Sequence, residues 1–274
     1  MAEESANEII RHYTQADEAA RLSKGWFQLE QARTQEIILR HIQPSPGKVL
    51  DIGGGAGAYA CWLAARGYQV HLIDPVPRHV EQALAASAKQ EKYSLASAEV
   101  GDARRLKHAD QSADAVLLLG PLYHLTERTD RLAGLREIHR VLRPKGVVWA
   151  AGISRFASLL DSLFSGFFDQ SEFAPILDRD LAEGQHRNPT DNLLYFTDAF
   201  FHRPQELAAE LAELHFELVD LVAIEGPGWL ARDFERLWNH PAQRERLLAV
   251  IREVEHEPTL IGASSHIMAV GRKR

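Results

Sequence analysis

The chain has 274 residues, 45% of them apolar and 25% charged, the balance of a soluble globular protein. Cys61 is the single cysteine, which excludes a disulfide scaffold and a cysteine zinc site. The longest apolar run, residues 115–122, falls far short of the ~20 residues that span a bilayer, and a net charge of −7 argues against a general nucleic-acid binder.

Residues 5–42 carry apolar positions at helical spacing, Ile9, Ile10 and Tyr13, then Leu29, Ile37, Ile38 and Ile42, and Lys24-Gly25 divides them into two predicted helices. Pro44-Ser45-Pro46-Gly47 ends the second. Residues 48–52 read as a strand running into glycines, 57–66 as a helix stopped by Gly67, and 69–73 as a second strand ending at Asp74-Pro75. Residues 78–90 are Ala-rich and helical. Residues 114–119 are continuously apolar, as in a strand covered on both faces. Residues 129–142 form an amphipathic helix and 147–152 another strand. Strands alternating with helices predict βαβ units and a parallel sheet. The rhythm breaks over residues 154–202, which show no clear strand and hold Phe156, Phe164, Phe167, Phe168, Phe173, Tyr195, Phe196, Phe200 and Phe201. Pro204 opens a helix, residues 216–224 alternate as a strand, two helical stretches follow over 229–239 and 242–255, and 266–271 close as a strand. The opening MAEESANEII is acidic and has no apolar stretch behind basic residues, so no signal peptide is expected and the reducing cytoplasm is the default.

The most informative segment is Val49-Leu-Asp-Ile-Gly-Gly-Gly-Ala-Gly-Ala58. Glycines between a strand and a helix let a ligand touch the backbone, and the helix start presents unpaired N–H groups. Gly53, Gly55 and Ala58 also satisfy a dinucleotide pattern. Asp51 opposes that reading, because a carboxylate there repels a pyrophosphate and suits an amine-bearing cation. Asp74, at the end of the next strand, can accept both hydroxyls of a ribose, which fits either an NAD-type or an S-adenosyl ligand. Asp102, in Gly101-Asp102-Ala103, can take an exocyclic adenine amine.

As a set, DIGGGAG, HLIDP, GDARRL, AVLLLGPLYHL and LREIHRVLRPKGVV resemble the motif series of class I S-adenosylmethionine-dependent methyltransferases, over residues 48–152, and the N-terminal helices with GPLYHLTE resemble a bacterial small-molecule subgroup. The resemblance implies a Rossmann-like α/β fold: a mainly parallel seven-stranded sheet flanked by helices, its last strand antiparallel beside 147–152. It divides one domain, 1–274, into a helical cap (5–43), a cofactor-binding core (48–153), a helical insertion acting as a lid (154–202) and the remainder of the sheet (203–274). It implies S-adenosylmethionine as cofactor, with Asp51, Gly53, Gly54, Gly55 and Gly57 framing the methionine part. Asp74 then binds the ribose, Pro75 and Val76 flank the adenine, Asp102 and Ala103 hold its edge, and Leu119 and Gly120 sit beside the sulfonium.

Methyl transfer from a sulfonium is an in-line displacement that mainly needs alignment, and a base only where the acceptor must lose a proton. Tyr123 and His124, after the fourth strand, are the catalytic candidates. Tyr13 and Arg21 on the leading helices are expected to fold over the donor, with Arg21 at its carboxylate. The aromatic insertion is expected to enclose a pocket for a small-molecule acceptor, with His202 and His266 as further lining candidates. Cys61 reads as a core residue. The thirteen histidines are scattered, and no metal is expected. The absence of an Asn/Asp-Pro-Pro-Tyr segment, with the negative charge, leads to no nucleic-acid partner being expected. No membrane partner is expected either, and the assembly is expected to be a monomer or homodimer. The alternatives are a nicotinamide-dependent oxidoreductase and a non-catalytic ligand-binding module.

Overall fold

The computed structural model describes residues 18–190 and 192–274. Among these, nine strands form one mixed sheet. Its centre is parallel, in the order β3 (Ser97–Val100), β2 (Gln69–Asp74), β1 (Lys48–Ile52), β4 (Ala113–Leu118) and β5 (Leu142–Ser154). Beyond β5 lies β9 (His266–Lys273), antiparallel with Ile153 opposite His266, as expected, and then β8 (Phe216–Ala223), antiparallel to β9.

Strand periodicity sorts the core into two layers. Val49, Leu117, Trp149, Met268 and Val270 face one side. There they meet α1 (Phe27–His41), α2 (Ala58–Ala64) and α3 (Pro77–Ser87) through Ile37, Ile38, Leu63 and Ala83. Their neighbours Leu50, Val116, Leu118, Val148, Ala150 and Ala269 face the other side. A short α4 (Pro121–His124) follows β4. On that second face α5 (Arg128–Val141) contributes Leu135 and Ile138.

The sheet has nine strands where seven were expected, because residues 154–202 are not purely helical. They hold α6 (Ala157–Ser165) and α7 (Ala174–Glu183), followed by a hairpin of β6 (Gln185–His186) and β7 (Ala199–His202). β7 adds in parallel to the tip of β5, Ile153 against Phe201, where β4 has already ended. The four residues of β7, AFFH, are all buried, a short continuous run with no alternation to announce it. β3 is equally silent, since Ser97, Ala98 and Glu99 are only partly buried and Val100 is exposed.

The C-terminal region contributes α8 (Pro204–Glu213), whose Leu207 and Leu211 join the second layer, then α9 (Phe234–Asn239) and α10 (Pro241–Val254). Buried Arg33 on α1 pairs with Glu255 just after α10 and donates to the Ile224 carbonyl at 3.2 Å, while Arg40 reaches Glu255 at 2.7 Å. These contacts pin the cap helix to the far end of the chain.

Trp149 is fully buried, with its indole N–H 3.4 Å from the Ile37 carbonyl. Trp149→Ala should cost about 3–5 kcal/mol in urea unfolding, the range for emptying a large aromatic site in a core.

Candidate functional site

A cleft of about 1100 Å³ opens beyond the carboxyl ends of β1, β2 and β4. Its floor is the turn between β1 and α2. Gly53, Gly55 and Gly57 have φ of +69°, +55° and +86°, a left-handed backbone that favours glycine. Gly54 is needed for space, because a Cβ there would stand 2.8 Å from the Asp51 carboxyl carbon and 2.9 Å from Leu72.

Asp51 is the penultimate residue of β1 and is 1% exposed. Its Oδ2 has no hydrogen-bond partner. Burial, and then the neighbouring Asp74 charge, push its carboxyl up to about 7, against a hydrogen bond from the Ala60 backbone. Asp74 ends β2, where it accepts from the Gly55 N–H at 2.8 Å and the Val76 N–H at 2.9 Å, with His79 Nδ1 at 3.0 Å. One carboxylate therefore ties the glycine turn to the start of α3, and sequence reasoning missed His79. Burial raises Asp102, but its hydrogen bonds and ion pair with Arg104, 2.6 Å away, leave it below the usual range. Arg104 also grips Asp130 at 2.8 Å. The Asp102 carboxylate thus reaches the cleft already held by a guanidinium.

The structure brings Arg21, Asp51, Gly53, Gly54, Gly55, Gly57, Asp74, Pro75, Val76, Asp102, Ala103, Leu119, Gly120, Tyr123 and His124 together on this one cleft. Tyr13 lies outside the described residues. Gly120 brings β4 close to the floor, a Cβ there being 3.5 Å from the Gly53 carbonyl and 3.6 Å from the Tyr123 hydroxyl. The Tyr123 and His124 rings are 4.7 Å apart on α4. Arg21 is engaged by a fork of two hydrogen bonds to Glu30, at 2.7 and 3.0 Å. Cys61 also lines the cleft, but burial and Asp51 push its thiol up, away from nucleophilic character.

Two expectations need correction. None of the nine aromatic residues of 154–202 lines the cleft. Phe167, Phe173 and Tyr195 instead form a small core with Ile176 and Leu177, because α6 and α7 must bury their apolar faces against each other. The insertion reaches the cleft through Arg187 and Asp198, 3.7 Å apart. His202 is not a lining residue either: it is buried behind Gly152, with Nε2 3.4 Å from Glu210.

His266, at the start of β9, does line the cleft, with its Nδ1 2.7 Å from Glu225 Oε1 and 4.0 Å from Glu30 Oε2. Glu225 is fully buried and also accepts from the Ser264 hydroxyl at 2.7 Å and the His266 backbone N–H at 2.9 Å. Burial lowers His266, but Glu225 and Glu30 outweigh it and leave the imidazole above its ordinary value. Burial raises Glu30, and Arg21 and His266 outweigh it, leaving it below the carboxylate range. Glu30, Glu225 and His266 thus lie within 4.8 Å of one another, with Glu30 held by Arg21 and Glu225 by the His266 ring and the Ser264 hydroxyl. Glu30 and Glu225 carry no motif. The single sequence signal near them is the Gly226-Pro227-Gly228 turn that stops the chain beside Glu225.

Residues 50–150 match the model of a family described as a methyltransferase domain. The chain is 28% identical over 165 residues to a tRNA 5-carboxymethoxyuridine methyltransferase of Escherichia coli O157:H7, covering 59% of this chain and 62% of that one, less than two thirds of its length. It is 25% identical over 233 residues to a ubiquinone biosynthesis O-methyltransferase of Xanthomonas axonopodis pv. citri, covering 81% and 87%. The fold superposes on an S-adenosylmethionine-dependent methyltransferase of Methanosarcina mazei with a TM-score of 0.59 at 19% identity, covering 86% of this chain and 96% of that one.

The Asp51 carboxyl sets a pH dependence of stability. Between its ordinary value of 3.8 and about 7 the folded chain holds a proton that the unfolded chain has lost, so stability falls as pH rises through that window. Asp51→Asn has no such group. In denaturant titrations, its stability relative to wild type should climb by a few kcal/mol from about pH 4 to 7 and then level off. A gap that stays constant with pH would mean that Asp51 is ionised in the fold.

Proposed function

We propose that the chain, whose residues 50–150 match a methyltransferase domain family and whose fold is that of an S-adenosylmethionine-dependent methyltransferase, binds S-adenosylmethionine in this cleft and passes the methyl group to a small-molecule acceptor. The observation that carries the reading is Asp51, a buried carboxylate with an unpartnered oxygen at the glycine turn. A buried anion is stabilised by an opposite charge. An α-ammonium group brings one, whereas the pyrophosphate of a nicotinamide dinucleotide adds repulsion.

In this reading Gly53, Gly54, Gly55 and Gly57 let the amino-acid part lie against the backbone, and Asp74 takes the ribose while holding the turn in shape. Pro75 and Val76 flank the adenine, and Asp102 and Ala103 meet its edge. Leu119 and Gly120 border the sulfur, with Tyr123 and His124 on the acceptor side. When bound, the sulfonium supplies a methyl group that is already activated. The chain's part is to hold the acceptor about 3 Å away and in line, and to keep water out.

The net charge of −7 and the relative named for ubiquinone biosynthesis support a small acceptor. The relative named for a tRNA supplies the competing acceptor.

Calorimetry should give a dissociation constant on the order of micromolar for S-adenosylmethionine or S-adenosylhomocysteine and no heat with NAD(H). Binding of NAD(H) without the sulfur ligand overturns the reading. Transfer of labelled methyl into a metabolite extract rather than into a tRNA pool is the expected result, and label confined to tRNA overturns the small-molecule acceptor. Because the ammonium needs Asp51 ionised, affinity should rise with pH through about 7 in wild type. Asp51→Asn should lose that rise and bind about tenfold more weakly at pH 8, roughly the worth of one charge-assisted hydrogen bond.

A further inference from the structure

We propose that His266, oriented by Glu225, takes the proton from a hydroxyl-bearing acceptor, so that the transfer described above is an O-methylation of a phenol-like compound; this rests on that reading of the cleft. His266 lies opposite Ile153 at the end of β5, so it stands at the same edge of the sheet as the glycine turn. Its Nδ1 is 2.7 Å from Glu225, a carboxylate enclosed by the Ser264 hydroxyl and the His266 backbone N–H. A fully buried carboxylate at Nδ1 fixes a ring that lines the cleft and favours the tautomer with its proton on Nδ1, in which Nε2 is the basic nitrogen. This is the geometry of a base backed by an orienting carboxylate. Of the other histidines lining the cleft, His124 stands beside Tyr123 on α4 and His79 is taken up by Asp74.

The charged and titratable groups around the ring are Glu225 after β8, Glu30 from α1, Arg21 through its fork to Glu30, and Tyr123 from α4, with Tyr59 of α2 close to the same glutamates. Two carboxylates face one guanidinium and the neutral ring, so a proton passed to the ring is balanced by the second carboxylate. A neutral O–H acceptor adds no further charge, whereas a carboxylate acceptor adds a negative one. The Tyr123 ring, which lines the cleft 6.4 Å from the imidazole, suits a flat apolar body behind the hydroxyl. In the step, the acceptor proton passes to Nε2 and the oxygen pair forms the new O–C bond. The methyl–sulfur bond breaks with its pair left on sulfur, which becomes neutral, and the imidazolium formed is stabilised by Glu225.

The test uses 4-nitrophenol, whose visible band reports its ionised form, with the full chain loaded with S-adenosylhomocysteine. The bound phenol should ionise as an acid about tenfold stronger than free. His266→Gln should abolish that shift while still binding S-adenosylhomocysteine, and Glu225→Gln should shrink it by more than half. In histidine-labelled wild type, the His266 Nε2 resonance should move to its protonated position when the phenol is added. An unshifted phenol, no phenol binding, a shift that survives in His266→Gln, or a silent His266 resonance each overturns the assignment. Failure of wild type to bind S-adenosylhomocysteine overturns the wider reading instead.

Discussion

Two buried carboxylates at neighbouring strand tips set the terms for everything around them. Asp51 and Asp74 stand at the ends of β1 and β2, strands in direct register, and both are almost wholly out of water. Like charges at such a place cannot both ionise cheaply, and the fold answers each differently. Asp74 is supplied with backbone N–H groups from Gly55 and Val76. Asp51 keeps an unpartnered oxygen and a carboxyl pushed up to about 7. The sheet therefore carries an electrostatic deficit at one point that a cationic ligand offsets, and the glycine turn leaves the room for it.

The rest of the architecture keeps that deficit in place. Parallel strands bring their carboxyl ends to one edge, and the two apolar layers hold them in register. The cap helix α1 is fastened to Glu255 by Arg33 at its middle and Arg40 in its last turn. That fastening positions Glu30, on the same helix, beside His266. The opposite wall is fastened through β7 on the tip of β5 and through Gln185, which donates to the Thr126 carbonyl at 3.0 Å. The insertion builds its own small core and strengthens its hairpin with Asp180, which accepts from Ser158 at 2.6 Å and pairs with His186 at 2.8 Å. The cleft thus has a floor made by the strand tips and two walls, one from the cap helix and one from an insertion with its own small core.

Much of this was legible in the residues alone. The run from Val49 to Ala58, the acid at the end of the second strand and the apolar segment 114–119 each depend on near neighbours in sequence: a turn that needs glycine, a strand that needs two covered faces, a helix that needs a start. Local backbone and burial requirements leave local marks, so these positions were found by number, and the antiparallel last strand followed from the family pattern they carry. The hairpin at β6 and β7 left no mark, being two and four residues long and dependent on the tip of β5 for its pairing. The aromatic residues of 154–202 were misread as a pocket wall because composition reports that rings must be buried and not against what.

Glu30, Glu225 and His266 come from three segments up to 236 positions apart. Their meaning, a base held between paired charges or a set of unremarkable polar residues, depends on distances of 2.7 and 4.0 Å that no spacing in the chain encodes. The sequence specifies the floor of the site because its constraints act along the backbone. The polar cluster facing that floor exists only once packing has brought remote side chains within reach, since electrostatic pairing acts through space and is blind to order along the chain.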